Sequence, residues 1–127
     1  EMTIRGAEES VEIMSTEQGI IRKAETLASL FEELSNRGVK IRLAAPIVDP
    51  EHKALKEISK YAEIRHTDKK ARFVLVDGKE MMFMVNDDTE VHPTYDIGIW
   101  VNTPFFASAL KEMFDLAWNE MKPIIKN

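Results

Sequence analysis

A chain of 127 residues and 14.6 kDa has room for one domain, and size scaling has such a domain burying about two-thirds of its unfolded surface. At 44% hydrophobic and 31% charged, with no cysteine, it is neither disordered nor collagen-like, and it carries no disulfide, thiolate metal site or cysteine nucleophile. Seventeen Lys and Arg against 22 Asp and Glu leave a net charge of −5, which excludes general attraction to nucleic acid.

Residues 1–9 have the pattern of the last turns of a helix that begins further upstream, so the chain is expected to be a piece of a longer protein. Ser10–Met14 alternates, with Val11 and Ile13 on one face, and predicts a strand. Ser15-Thr16-Glu17-Gln18 forms a capping box with Ser15 as N-cap. The helix that follows carries Ile20, Ile21, Ala24, Leu27, Ala28, Phe31 and Leu34 at helical spacing and stops at Gly38. Residues 39–45 alternate as a second strand.

Asp49-Pro50 opens a short helix, with Asp49 as N-cap and Pro50 in its first turn. Residues 62–66 predict a third strand. Residues 72–76 and 80–85, joined across Asp77-Gly78, predict a hairpin with a type I′ turn. Residues 97–101 form an apolar strand expected to be buried on both faces. Thr103-Pro104 caps a last helix with a core stripe of Phe106, Ala109, Leu110, Met113, Phe114, Ala117 and Met121, ended by Pro123. The order implies an α/β domain: a mixed β-sheet flanked by helices. No apolar run approaches the ~18–20 residues needed to span a bilayer, and no signal peptide opens the chain. The expected setting is cytoplasmic, with no membrane partner.

Phosphate-binding glycine loops and nucleophile elbows are absent from the sequence. His52, His66 and His92 lie far apart and lack the spacing of metal ligands, so no metal and no cofactor are expected. The acidic run Asn86-Asp87-Asp88-Thr89-Glu90 lacks the central glycine and terminal glutamate of a calcium loop. In the stretch 65–72, Arg65, Lys69, Lys70 and Arg72 concentrate positive charge in an acidic chain. Lys70 and Arg72 are two apart and leave one face of an extended chain. Two readings stand side by side: a solvated basic edge that discourages strand pairing, and a small anion site. Asp77 or the carboxylates of 87–90 are the internal groups able to neutralise it.

The register Lys70-x-Arg72-x4-Asp77 is similar to the His-x-Lys-x4-Asp motif of the phospholipase D superfamily, with Lys70 at the nucleophile position and Arg72 at the lysine position. Met84-Val85-Asn86-Asp87 stands where that family has Gly-Ser-x-Asn. Phosphodiester transfer needs a neutral imidazole to attack phosphorus, which a protonated lysine does not supply. The segments 38–42, 72–81 and 99–106 more closely resemble the effector domain of TrmB-type archaeal transcriptional regulators, over about 10–118. That resemblance implies a phospholipase D-like fold. It makes residues 1–9 the end of a helical linker and residues 10–127 an effector and dimerisation domain. DNA would be read only by a winged helix outside this chain. Sugar-binding members carry a further C-terminal β-rich segment, whereas this chain ends just after its last helix.

The implied activity is regulatory and non-catalytic, with no catalytic residues. Its candidate effector site is Lys70, Arg72 and Asp77, and its ligand a small anion or a sugar. The alternatives are a divergent phosphodiesterase using one of the histidines, or a ligand-free oligomerisation module. Phe105 and Trp118 fall off the core stripe of the last helix. With Ile124 and Ile125 they are expected to form the contact surface of a homodimer.

Overall fold

The structure, a computed structural model, describes residues 2–69, 71–84 and 98–123. Its elements run α1 (Met2–Arg5), β1 (Ser10–Met14), α2 (Glu17–Asn36), β2 (Lys40–Ala45), α3 (Lys53–Ile58) and β3 (Glu63–His66). They continue with β4 (Phe73–Val76), β5 (Glu80–Met84), β6 (Gly98–Asn102), α4 (Pro104–Trp118) and β7 (Lys122–Pro123). Among the described residues the strands form one seven-stranded sheet in the order β6-β5-β4-β1-β2-β3-β7. β1, β2 and β3 are parallel, joined by α2 and α3; the other pairings are antiparallel. A mixed sheet flanked by helices is what the order of elements implies.

The period of two along each strand sorts side chains onto two faces. Val11, Ile13, Ile41, Leu43, Ile64, Val74 and Val76 pack against Ile20, Phe31 and Leu34 of α2 and Leu55 and Ile58 of α3. The opposite face carries Met14, Ala44, Leu75 and Met81 and is covered by Ala107, Phe114 and Trp118 of α4. Asp77 (φ 55°) and Gly78 (φ 65°) supply the two positive φ angles of the hairpin turn, and Gly38 (φ 86°) ends α2 in the left-handed region.

Several boundaries differ from the sequence expectation. Thr16, not Ser15, caps α2: its backbone is extended and its hydroxyl accepts from Gly19 N at 2.9 Å. Glu17 then turns outward, where its carboxylate accepts from Val48 N and Asp49 N at 2.9 and 2.8 Å. The short helix begins at Lys53, because His52 Nδ1 accepts from Ala54 N at 3.0 Å; Asp49-Pro50 belongs to the turn before it. β6 is an edge strand with Ile99 42% exposed, not a strand buried on both faces. Past α4 the chain reverses, and Lys122–Pro123 adds an antiparallel strand to β3, which proline tolerates at a sheet edge. Lys70, the loop 86–90, His92, Ile124 and Ile125 lie outside the described residues.

Candidate functional site

β1 ends at Met14 beside the start of β4, with which it pairs through Met14↔Phe73. Residue 72 therefore lies at the end of the sheet where the chain leaves β1 and enters α2. A cavity of ≈ 10 Å³ opens there, lined by Ile13, Met14, Ser15, Lys23, Arg72, Phe73, Val74 and Met82. That is room for about one oxygen-sized atom.

Ser15 is 4% exposed, and its hydroxyl has no hydrogen-bond partner among the described residues. Gly19 makes its position possible. A Cβ at 19 would collide with Ser15 Oγ and sit 3.1 Å from Thr16 Oγ1. The hydroxyl thus tucks under the first turn of a 20-residue helix whose macrodipole is positive at this end. Lys23, two turns into α2 from the cap, and Arg72 bring two cationic side chains to the same cavity. Hydroxyl donor, guanidinium, ammonium and helix N-terminus are all groups that favour an anion.

Of the sequence-predicted anion residues, the structure places Arg72 here and Asp77 elsewhere. Asp77 sits five residues further along the chain, about 17 Å at strand rise. Its carboxylate accepts from Glu9 N at 2.7 Å, Ser10 N at 3.0 Å and Glu8 N at 3.1 Å. Asp77 N in turn donates to Ser10 O at 2.8 Å. Asp77 is a clamp between the hairpin turn and the loop after α1, and it does not neutralise Arg72. This corrects its place in the expected site. Ser15, Gly19 and Lys23 were missed as site residues. The signal was present in the short Ser-Thr pair before a glycine-containing first turn, but the capping box absorbed it.

Neither of the described histidines, His52 and His66, lines the cavity. His66 Nδ1 accepts from Ile47 N at 3.0 Å and its Nε2 faces Asp68 Oδ1 at 3.1 Å, so both ring nitrogens are engaged. His52 caps α3. Among the described residues no group of three or more His, Asp or Glu is placed to hold a metal ion, and no helix is long and apolar enough to cross a membrane.

A second polar cluster lies beneath α4. Glu12, 0% exposed, pairs with Arg42 at 3.1 Å, and Arg42 also bonds to Asp115, which Lys111 Nζ reaches at 3.2 Å. The Arg42 guanidinium lies 5.1 Å from the Phe114 ring centroid and 5.5 Å from that of Trp118. Arg65 lies 4.5 Å over the other aromatic contact of the cluster, Trp118, and donates to Trp118 O at 2.6 Å. Trp118 is only 5% exposed and stacks on Phe114 at 5.6 Å. It therefore belongs to the interior of the subunit and not to the expected dimer surface. The core stripe of α4 is rotated accordingly: Ala107, Phe114 and Trp118 point inward, while Phe106 and Met113 point outward. The two arginines explain the rotation, since each needs an aromatic face to cover its guanidinium. Burial pushes the Glu12 carboxyl above its ordinary pKa of 4.5, with Arg42 offsetting only part of that effect. Burial also opposes the Asp115 charge, but the hydrogen bonds from Arg42 and Lys111 outweigh it and hold that pKa below 3.8. The cluster braces α4 to the sheet.

Compared with solved structures, the chain has the phospholipase D fold. It aligns with the archaeal chromatin protein TrmBL2, described as showing a novel mode of DNA binding, at TM-score 0.69 and 16% identity, covering 95% of this chain and 47% of that one. It aligns with Nuc from Salmonella typhimurium, a phospholipase D family member, at TM-score 0.70 and 16% identity, covering 96% and 86%. NucT from Helicobacter pylori gives TM-score 0.75 at 12% identity, again covering 96% and 86%. The chain spans under half the length of TrmBL2. No family model and no curated protein matches its sequence.

Proposed function

We propose that this chain is the non-catalytic effector-binding and dimerisation domain of a TrmB-type transcriptional regulator whose DNA-reading winged helix lies outside it. The observation that carries the reading is the cavity at the start of β4. It gathers Arg72, Lys23 and the buried Ser15 hydroxyl, and among the described residues no histidine lines it. In a phospholipase D-like fold this is the end of the motif strand, and the sequence supplies Lys70 and Arg72 in place of His and Lys. A guanidinium and an ammonium bind an oxyanion well and attack phosphorus badly. One ligand oxygen fills the cavity, accepting from Ser15 Oγ, while the rest of the anion stays in its mouth within reach of Arg72. Among the described residues the divergent phosphodiesterase is the weaker reading, because His66 has both nitrogens engaged and His52 is committed to a helix cap.

A thermal-shift titration with phosphate, sulfate and sugar phosphates, against chloride at matched ionic strength, tests it. Stabilisation by the oxyanions that is lost in Arg72→Ala is expected. No turnover of bis-p-nitrophenyl phosphate above background is expected. Turnover that disappears in Arg72→Ala, or no oxyanion-specific shift at all, would refute the reading.

A further inference from the structure

Helix α4 has two apolar faces, and among the described residues only one of them packs against the rest of the subunit. Ala107, Phe114 and Trp118 face the sheet. Phe105 (90% exposed), Phe106 (57%), Met113 (62%) and Leu116 (73%) stand on the other side. Four residues of that outer side, Phe106, Ala109, Met113 and Leu116, follow one another at spacings of three, four and three. This is the a/d spacing of a helix–helix seam. We propose that the outer face of α4 pairs with the same face of a second copy of this chain, the two α4 helices running antiparallel about a two-fold axis.

The occupant follows from the seam's relation to its own reverse. A two-fold axis through position 111 sets Phe106 opposite the partner's Leu116 and Ala109 opposite the partner's Met113. Each pair places a larger side chain against a smaller one, and a against d is the pairing of an antiparallel seam. A lipid surface fits less well, because the exposed Glu112 beside the face and Glu120 just past its end carry negative charge where interfacial helices carry Lys and Arg. The area is sufficient but modest. A fully exposed aromatic side chain offers roughly 150–250 Å², so the four large residues present on the order of 500 Å² per copy. Two such faces reach about 1,000 Å², the low end for specific association. A dimer with Kd in the micromolar to tens-of-micromolar range is expected. The axis also brings the two Glu112 side chains to the same flank, so salt should tighten the dimer by screening them.

This deepens the dimerisation half of the proposed function; of the contact set read from the sequence it keeps Phe105 and sets aside the buried Trp118, while Ile124 and Ile125 lie outside the described residues. α4 covers the sheet face opposite α2, so the seam is separate from the Arg72 cavity.

Sedimentation of the 127-residue chain from ~1 to ~200 µM, a range bracketing such a Kd, is expected to show a monomer–dimer equilibrium. Leu116→Glu and, independently, Met113→Glu should each raise Kd at least ~10-fold without lowering the melting temperature, since both side chains are exposed. The chain has no cysteine, so register can be read by oxidation of an equimolar mixture of Ala109→Cys and Met113→Cys variants. Disulfides between the two variants should exceed those within either. A strict monomer throughout, a dimer indifferent to both glutamates, or a preference for like-with-like disulfides would each overturn the proposal. Oxyanion stabilisation of the Leu116→Glu variant reads the Arg72 site separately, so failure of one proposal is distinguishable from failure of the other.

Discussion

Glu12 and Arg42 face each other in register across β1 and β2, and the Arg42 guanidinium ties the buried Glu12 carboxylate to Asp115 of α4. The pair is held between aromatic rings and the sheet, so each charge depends on the other. Removing Arg42 leaves a buried carboxylate uncompensated, which costs about 3–5 kcal/mol. Arg42→Ala is therefore expected to lower the urea midpoint severely or abolish folding. Arg42→Lys should rescue only part of the loss, because one ammonium cannot reproduce the two-sided contact or lie flat on Phe114.

The same cluster fixes a pH dependence. Glu12 titrates above its ordinary value in the folded chain, so the folded state binds that proton more tightly than the unfolded state. Its contribution to stability therefore grows as pH falls through the raised pKa towards 4.5. Asp115 works in the opposite sense: its pKa is lowered, and its contribution is lost as pH falls below 3.8 through the folded value. Relative to Glu12→Gln, the unaltered chain should gain stability on acidification from pH 7 to about pH 4.5. Urea midpoints of both proteins across that range check it. A relative loss on acidification would contradict the assignment.

Asp77 should behave as a backbone clamp. Asp77→Asn keeps an acceptor and a residue that tolerates positive φ, and is expected to cost about 1 kcal/mol. Asp77→Ala loses the bonds to Glu8, Glu9 and Ser10 and strains the turn, for about 2–3 kcal/mol. Neither should alter the phosphate response, since Asp77 is at the far end of β4. A lost response in Asp77→Asn would return this residue to the anion site.

The hairpin was legible because Asp77-Gly78 admits few backbones, and α2 because its stripe from Ile20 to Leu34 is long and periodic. The charged residues on the other face of β1 and β2 were harder. Glu12 and Arg42 alternate with Val11, Ile13, Ile41 and Leu43, a pattern shared by a solvated sheet face and by one covered by a helix that brings Asp115. Only the tertiary pairing of α4 decides between them. α4 itself is apolar on two sides, so spacing alone could not fix which stripe turns inward. Arg72 was legible as a site residue from its charge. Ser15 was not, because its hydroxyl and that of Thr16 compete for the same capping role.

Trp118 is a core residue by this geometry. Trp118→Ala removes the ring between Arg65 and Phe114 and is expected to cost about 3–5 kcal/mol. Trp118→Phe keeps a ring for Arg65 and should cost less. Dimer affinity, measured where both proteins are folded, should change far less for Trp118→Phe than for Leu116→Glu. An equal change would place Trp118 at the contact between copies.

Gly19 and Ser15 form the most discriminating pair. Gly19→Ala gains helix propensity of up to about 1 kcal/mol, but its Cβ runs into Ser15 Oγ beneath the first turn of α2. Overpacking of this kind costs about 1–3 kcal/mol, so the single substitution should destabilise. Ser15→Ala removes a buried hydroxyl that has no partner among the described residues, and should be neutral or stabilising. In the double variant the new methyl group gains the space the hydroxyl leaves. Its stability should meet or exceed that of the unaltered chain, giving a coupling energy of about 1–3 kcal/mol between the two sites. The phosphate response should move the other way: Ser15→Ala loses it while stability holds. That divergence separates a hydroxyl kept for a ligand from one kept for the fold. Additive effects in the cycle would refute the contact between the two sites, and a phosphate response unchanged by Ser15→Ala would refute the hydroxyl's part in binding the anion.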